Sequence, residues 1–327
     1  MSKYIVAGGS GFIGSRLISK IGKNQCVNID KNPSPFFNEI TNIVDIRFPK
    51  QIVFNEHFSS VILLAAEHRD DVTPKSLYYD VNVDGTKNVL EKMNKSGIKH
   101  LIFTSSVAVY GLNKKNPDEN HIKHPFNHYG KSKLQAEKII KDWYDQDPVG
   151  KSVTIIRPTV VFGERNRGNV YNLLSQIVSG KFIMIGKGNN KKSMAYVGNL
   201  VSFIKNRLEN KEPGFHIYNY TDEMDLDMNQ LVNVIEMKMN IKIPKLRIPY
   251  LFGIIGGYIF DLFAKLTGDK FSISSVRIKK FCATTQFNSA KAHKLFKAPH
   301  SLKEGLEKTL EYEFINSNKD DILFYSE

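Results

Sequence analysis

Near the start of the chain stands Tyr4-Ile5-Val6-Ala7-Gly8-Gly9-Ser10-Gly11-Phe12-Ile13-Gly14. The apolar run at its head predicts a short buried strand. The glycines predict a turn, and the apolar spacing from Phe12 to about Ile21 predicts a helix. Gly8, Gly11 and Gly14 recur every third residue. Glycine permits the tight turn and lets backbone approach a pyrophosphate, while the N-terminus of the following helix offers N–H donors and the positive end of its dipole. Glycine-rich turns are common, and this one draws its meaning from the strand–turn–helix around it. Asp30 closes a second short strand, Val27-Asn28-Ile29-Asp30. A carboxylate there accepts hydrogen bonds from the adenosine ribose hydroxyls and repels a 2′-phosphate, which favours NAD over NADP. Lys31 beside it weakens that preference, and the plain alternative is a turn aspartate.

Downstream, Val61 to Ala66 is a continuous apolar run, as expected for a strand covered on both faces. Val81 to Met93 has helical spacing, Leu101 to Thr104 and Val153 to Ile156 read as further strands, and Tyr129 to Tyr144 reads as a long helix. Strands alternating with helices predict an α/β fold: a Rossmann-type, doubly wound parallel sheet with a smaller C-terminal substrate lobe. The 327 residues suit two lobes. We place a dinucleotide-binding domain at 1–165, with 195–222 returning to it, and a substrate lobe at 166–327.

Composition narrows the classes. Hydrophobic residues make up 41% and charged residues 24%, an ordinary globular balance that excludes a disordered or collagenous chain. Cys26 and Cys282 are too few for a disulfide framework or a four-thiolate zinc site. The stretch MSKYIVAGG lacks the apolar core and cleavage site of a signal peptide, so a reducing, cytoplasmic location is expected. The net charge of +13 favours anionic partners: phosphorylated metabolites, an anionic membrane face or nucleic acid. The lysines are scattered and no aromatic-and-basic recognition signature is present, which argues against nucleic acid.

Two further constellations carry chemistry. Tyr129 and Lys133 stand four apart on the expected long helix and share a face. A free tyrosine titrates near pH 10, and a neighbouring ammonium stabilises the phenolate, so the pair can take a proton from a substrate hydroxyl. Alone, Tyr-x-x-x-Lys is usually a solvated helix face. Thr104-Ser105-Ser106-Val107-Ala108-Val109-Tyr110-Gly111 ends an expected strand, at the sheet edge where parallel folds bind ligands. Ser106 there is either a hydrogen-bonding partner of substrate and tyrosine or a simple turn cap.

Taken together, the glycine motif, Ser106, Val109-Tyr110-Gly111 and Tyr129-x-x-x-Lys133 resemble the extended short-chain dehydrogenase/reductases, and among them the NAD-dependent nucleotide-sugar epimerases and dehydratases. The resemblance implies Tyr129 as base, Lys133 as its partner and ribose contact, and Ser106 as a substrate hydrogen-bond donor. It implies cofactor contacts at Gly8, Gly11, Phe12, Ile13 and Gly14, with Asp45 and Ile46 near adenine. Ala65 and Ala66 would line the cofactor, Asn82 would sit beside the site, and Pro158 would lie on the strand under the nicotinamide. Dehydratases of this family carry an Asp-Glu pair where this chain has Val107 and Ala108. Neither residue can move a proton, so 4-epimerisation is implied instead, with NAD as the resident cofactor and no net redox change.

Four stretches, Leu64 to Val72, Gly111 to His121, Arg157 to Asn169 and Phe281 to Phe287, resemble a bacterial subgroup: the undecaprenyl-diphosphate-linked GlcNAc 4-epimerases of O-antigen and lipopolysaccharide assembly. That implies a lipid-linked GlcNAc/GalNAc substrate and peripheral contact with the cytoplasmic face of the inner membrane. Arg167 and Asn169 are the favoured substrate contacts, with Arg165, Lys187 and Arg277 as further diphosphate candidates. The most apolar segment, 248–266, is either a buried helix or one lying in the membrane interface with Lys265, Lys270 and Arg277 near the headgroups. Its uncharged core of ten residues spans only about 15 Å as a helix, too short to cross a bilayer. His121, His124 and His128 lack zinc-site spacing, and no metal is expected. The helix at 129–144 is a candidate dimer face, as in many family members. The alternatives are a soluble UDP-GlcNAc or UDP-glucose 4-epimerase, a 4-keto-sugar reductase, and an NAD-binding protein without catalysis.

Overall fold

The computed structural model describes residues 3–55, 57–69, 72–112, 114–180, 182–268, 274–318 and 320–325. Lys270, and the motif residues Asp70, Asp71 and Asn113, lie outside that set. The strands, in chain order, are β1 (Lys3–Ala7), β2 (Cys26–Asp30), β3 (Thr41–Ile43), β4 (Phe58–Leu63), β5 (His100–Thr104), β6 (Ser152–Pro158), β7 (Val160–Phe162), β8 (Met184–Ile185), β9 (Lys191–Lys192), β10 (Met194–Tyr196), β11 (Gly214–Tyr220), β12 (Leu226–Asp227) and β13 (Arg247–Ile248). The helices are α1 (Phe12–Ile21), α2 (Leu77–Tyr79), α3 (Gly85–Lys95), α4 (His128–Gln146), α5 (Asn169–Val178), α6 (Val197–Glu209), α7 (Met228–Met239), α8 (Tyr250–Thr267), α9 (Ser275–Cys282), α10 (Ala290–His293) and α11 (Leu302–Leu310). One π turn, Asp80–Asp84, joins α2 to α3.

Seven strands form one parallel sheet in the order β11-β6-β5-β4-β1-β2-β3. Side chains alternate across it, so neighbouring residues feed opposite cores. Ile5, Val61, Leu63, Leu101, Phe103, Val153 and Ile155 pack with Val89, Leu90 and Met93 of α3 and Ala136, Ile140 and Trp143 of α4. Val6, Ile62, Ile102 and Ile156 pack with Leu17 and Ile18 of α1 and Leu200, Phe203 and Ile204 of α6. Burial on both faces is why these strands are near-continuous apolar runs rather than alternating ones. The order reverses between β1 and β4, which opens a crevice at the C-terminal strand edge. The glycine turn, Asp30, Ala65, Ser106 and Pro158 all follow or end strands at that edge.

Beyond Pro158 the chain builds three two-stranded ladders, β10-β7, β12-β9 and β13-β8, with α5, α7, α8 and α9 among them. Lys192 on β9 donates to the carbonyls of Lys280 and Ala283, at 2.8 and 2.5 Å, fastening the C-terminus of α9. An ammonium at a helix C-terminus meets carbonyls that have no helical partner.

Helix α8, which holds most of the apolar segment, is not the buried helix of the first reading. Only Gly253, Ile254 and Gly257 of its 18 residues are buried. The glycines are its line of attachment. A Cβ on Gly253 would meet Ile185 Cγ2 at 2.6 Å, and one on Gly257 would meet the Ser275 backbone at 2.8 Å. Asp261 accepts the Ser275 backbone N–H, at 3.2 Å to the nearer oxygen, and Lys279 donates to the Tyr258 hydroxyl at 2.7 Å. The remaining surface is apolar and open: Leu251, Phe252, Leu262 and Leu266 are 65%, 66%, 58% and 73% exposed. Exposed apolar side chains are thus concentrated on this helix rather than scattered singly. By length and composition α8 is also the one helix among the described residues long and apolar enough to cross a membrane.

Candidate active site

The glycine turn is built for close approach. Gly8 has φ +91°, and a Cβ there would lie 2.5 Å from Ala65 N; one on Gly14 would lie 2.3 Å from Gly8 O. Gly9 N–H donates to Asn28 Oδ1 at 2.9 Å, and Ser10 N–H donates to Asp30 Oδ2 at 3.1 Å. Asp30 thus both ends β2 and braces the turn. Helix α1 starts at Phe12 behind Gly11 with no side-chain cap. Its first N–H groups therefore face outward as donors for an anion. A cradle of backbone donors walled by glycines, with a carboxylate at the next strand end, fits a dinucleotide without a 2′-phosphate.

Ser106 and Tyr129 meet. Ser106 caps the 3₁₀ turn Val107–Tyr110, its Oγ accepting Ala108 N–H at 3.1 Å, and it stands close enough to Tyr129 to pull the phenol down. The structure shows the cap reading of this serine. Burial pushes the Tyr129 phenol up to about 12, against the pull of the Ser106 hydrogen bond. Lys133 is 2% exposed. Burial pushes its ammonium down to about 7, and Glu137 works against that. Its Nζ donates to Thr104 O at 2.8 Å. The expected lowering of the tyrosine by the lysine is absent in the protein alone, where desolvation dominates both groups.

Helix α4 places these side chains because Asn127 caps it, accepting Gly130 N–H at 2.9 Å. Gly130 itself lies against Ala108 O, where a Cβ would come within 2.6 Å. That contact holds the tyrosine turn against the serine turn.

Asn82 is a bracket within the scaffold. It accepts Glu67 N–H at 2.8 Å and donates to Glu67 O and Ser132 Oγ, both at 2.9 Å. Asn82 thereby ties the loop bearing Ala65 and Ala66 to α4. Asp45 pairs with Arg47 at 2.6 Å, which holds its carboxyl below the usual range, and Ile46 packs beneath Gly85. Pro158 is buried at the end of β6. Arg167 is committed to Glu313 at 2.8 Å and lies 3.9 Å over the Tyr171 ring. Arg165 pairs with Asp321 at 3.0 Å, Asn169 opens α5, and Lys187 is exposed. The favoured substrate arginine is therefore neutralised by a carboxylate of its own chain. His121 packs edge-on against Tyr110, whereas His128 hydrogen-bonds Tyr79.

Glu137 escaped the sequence reading. One turn beyond Lys133, it accepts Ser105 Oγ at 2.5 Å, Arg157 Nε at 2.8 Å and Arg157 Nη2 at 2.6 Å. Arg157 is fully buried and also donates to the Tyr110 hydroxyl at 2.7 Å, which in turn donates to Asn219 at 2.7 Å. This pair joins α4, the end of β5 and the end of β6, the three elements that carry Tyr129, Ser106 and Pro158. Its signal was available: Glu137 is the next i+4 position on the Tyr129–Lys133 face.

Residues 4–220 match the family model described as the NAD dependent epimerase/dehydratase family. The chain belongs to this family. Its cofactor is NAD. The chain is 58% identical over 326 residues, 99% of its length and 98% of the relative's, to the N-acetyl-α-D-glucosaminyl-diphospho-ditrans,octacis-undecaprenol 4-epimerase of Escherichia coli O157:H7. It is 25% identical, over 96% of each chain, to a UDP-glucose 4-epimerase of Vibrio cholerae. The fold matches a UDP-glucose 4-epimerase of Thermotoga maritima with a TM-score of 0.71 at 22% identity, over 95% of this chain and 98% of that one. It matches a UDP-glucuronic acid 4-epimerase of Bacillus cereus with a TM-score of 0.72 at 19% identity and the same coverage.

Proposed function

We propose that this protein is the 4-epimerase that interconverts GlcNAc-diphosphate-undecaprenol and GalNAc-diphosphate-undecaprenol for O-antigen assembly. The observation that carries the reading is 58% identity over nearly the full length of both chains to an enzyme named for that lipid-linked substrate. The Ser106–Tyr129–Lys133 constellation supplies the chemistry. Residues 1–165, with 195–222, are assigned to the cofactor, and 166–327 to the sugar diphosphate.

Bound NAD would supply a reversible hydride acceptor for sugar carbon 4 and a positive charge in the site. Gly8, Gly11, Phe12, Ile13, Gly14 and Asp30 would hold it, with Asp45, Ile46, Ala65, Ala66, Asn82 and Pro158 around it. Tyr129 takes the 4-hydroxyl proton and later gives it back. Its high value in the protein alone means that the phenolate forms only when cations stand beside it. Lys133, held at the turn by Thr104 O, does not lower the phenol by itself and would act together with the positive charge of the bound cofactor. Ser106, beside Tyr129, would hydrogen-bond the substrate hydroxyl. Val107 and Ala108 offer no acid or base for dehydration.

The lipid anchor of this substrate requires an enzyme that reaches the bilayer. Helix α8 is proposed to lie in the cytoplasmic interface of the inner membrane, its apolar side in the acyl boundary and Lys265, Lys279 and Lys280 at the headgroups. Gly253, Gly257 and Asp261 hold one side of α8 to the protein, which favours lying over crossing. For a diphosphate ligand, Arg167 must exchange Glu313 for phosphate oxygens.

The test is direct. Purified protein without added cofactor is given GlcNAc-diphosphate-undecaprenol in detergent, and the sugar is released by mild acid and identified. GalNAc with no net NADH supports the proposal. Unchanged GlcNAc, from protein shown to contain NAD, defeats it.

A further inference from the structure

The segment 320–325 returns from the far end of the chain to the rim of the dinucleotide crevice. Phe324 N–H donates to Arg165 O at 2.8 Å, and Phe324 O accepts Arg167 N–H at 2.7 Å, with Asn166 bridged to it in parallel. The Phe324 ring packs 5.9 Å from Phe12 and 6.1 Å from Phe36. Phe12 belongs to the glycine turn, and Phe36 to the loop after β2, beyond Asp30. The Arg16 guanidinium lies 4.5 Å over Phe12 and 5.9 Å from the Phe324 ring centre, and it donates to Glu164 O. Asp321 anchors the segment through Arg165 at 3.0 Å and through the Tyr312 hydroxyl. One residue thus joins three stretches: its ring meets the turn that cradles the pyrophosphate and the loop beside the ribose carboxylate, and its backbone pairs with the loop leaving β7.

We propose that Asp321 and Phe324 form a clasp that retains NAD, with Phe324 as the positioning residue that acts through Phe12 and Phe36. The physical need is specific to a reaction that removes and restores the same hydride. Cofactor that leaves at the ketone stage strands the substrate oxidised, so the crevice must open more slowly than the sugar turns over. Separate loops at a crevice rim open with little loss. Loops stapled by shared aromatic contacts, a guanidinium face and two backbone hydrogen bonds open together or not at all. The inference rests on NAD binding, not on the identity of the sugar. It therefore stands or falls separately from the substrate proposal.

The experiment uses full-length protein loaded with isotopically labelled NAD. Exchange into excess unlabelled NAD is followed by mass spectrometry after rapid desalting, alongside the thermal midpoint of nucleotide-stripped protein. Phe324→Ala is expected to release NAD about tenfold faster, the loss of roughly one good aromatic contact. Asp321→Asn is expected to release it faster by a smaller factor. Ile322→Ala, an exposed neighbour on the same segment, keeps the parental rate and so separates clasping from general loosening. An exchange rate in Phe324→Ala within twofold of the parent overturns the clasp. So does an equal acceleration in Ile322→Ala, or a rise in exchange matched by collapse of the stripped protein's midpoint.

Discussion

Consider replacing Phe252, Leu262 and Leu266 together by serine. These side chains are 66%, 58% and 73% exposed, so they contribute little to the folded core and the variant keeps its fold in solution. Fully burying a Leu or Phe side chain is worth roughly 1.5–3 kcal/mol. With more than half of each side chain still to be covered, docking on a bilayer gains about 1–1.5 kcal/mol per residue, or about 3–4.5 kcal/mol for the three. That corresponds to several hundredfold in membrane partition, at about 1.4 kcal/mol per tenfold. The assay is flotation with vesicles containing anionic phospholipid, at low and high salt, with thermal unfolding as the control for folding. The parent is expected to float, less so at high salt as Lys265, Lys279 and Lys280 are screened. The triple variant is expected to stay at the bottom with an unchanged midpoint. Partition within threefold of the parent would refute the argument that the open face of α8 is the bilayer contact.

Other consequences are equally measurable. Tyr129→Phe is expected to lose roughly 10²–10⁴-fold in turnover while still binding NAD, because it removes proton transfer alone; near-parental turnover would reject the assigned base. Glu137→Gln leaves the Arg157 cation buried without its partner and is expected to cost about 3–5 kcal/mol in urea unfolding. Glu137→Gln with Arg157→Met should recover most of that stability. Gly14→Ala, whose methyl would sit 2.3 Å from Gly8 O, is expected to abolish NAD retention; a variant that still co-purifies with NAD counts against the cradle. Lys133 carries a folded-state value pushed down to about 7 from the usual 10.5. The unfolded chain therefore binds more protons between those values, and stability from this group rises with pH across that window. Relative to Lys133→Met, the parent should gain stability from pH 7 to pH 10; a parallel pair of stability curves would contradict the assigned burial.

Much of the cofactor half was legible because its signals are local. The first helix was expected from Phe12 to about Ile21 and occupies Phe12–Ile21. Helix α4 was expected from Tyr129 and begins one residue earlier, behind the Asn127 cap. The strands β4, β5 and β6 were recognisable as apolar runs for the reason the sheet makes plain, burial on both faces. Three things were not legible, each for a physical cause. The lowering of Tyr129 was argued from a charge one turn away, whereas burial of both partners outweighs that charge in the protein alone. Arg157 and Glu137 meet across 20 residues of chain, and spacing alone does not pair them. The ion pairs of Arg165 with Asp321 and of Arg167 with Glu313 join residues well over a hundred positions apart, which local spacing does not show. The apolar segment was readable as core or as interface, because composition reports hydrophobicity and not which neighbours arrive to cover it.

The central claim is that the sugar is presented on a polyprenyl diphosphate and not on a nucleotide. Its most direct test pairs two substrates with one NAD-loaded preparation: GlcNAc-diphosphate-undecaprenol in detergent and UDP-GlcNAc in buffer. Both are followed to initial rates by identifying the released hexosamine. GalNAc formed from the lipid-linked sugar, with kcat/KM far above that for the nucleotide sugar, is the predicted result. GalNAc formed efficiently from UDP-GlcNAc and not from the lipid would contradict it, and would leave the open apolar face of α8 without the role assigned to it here.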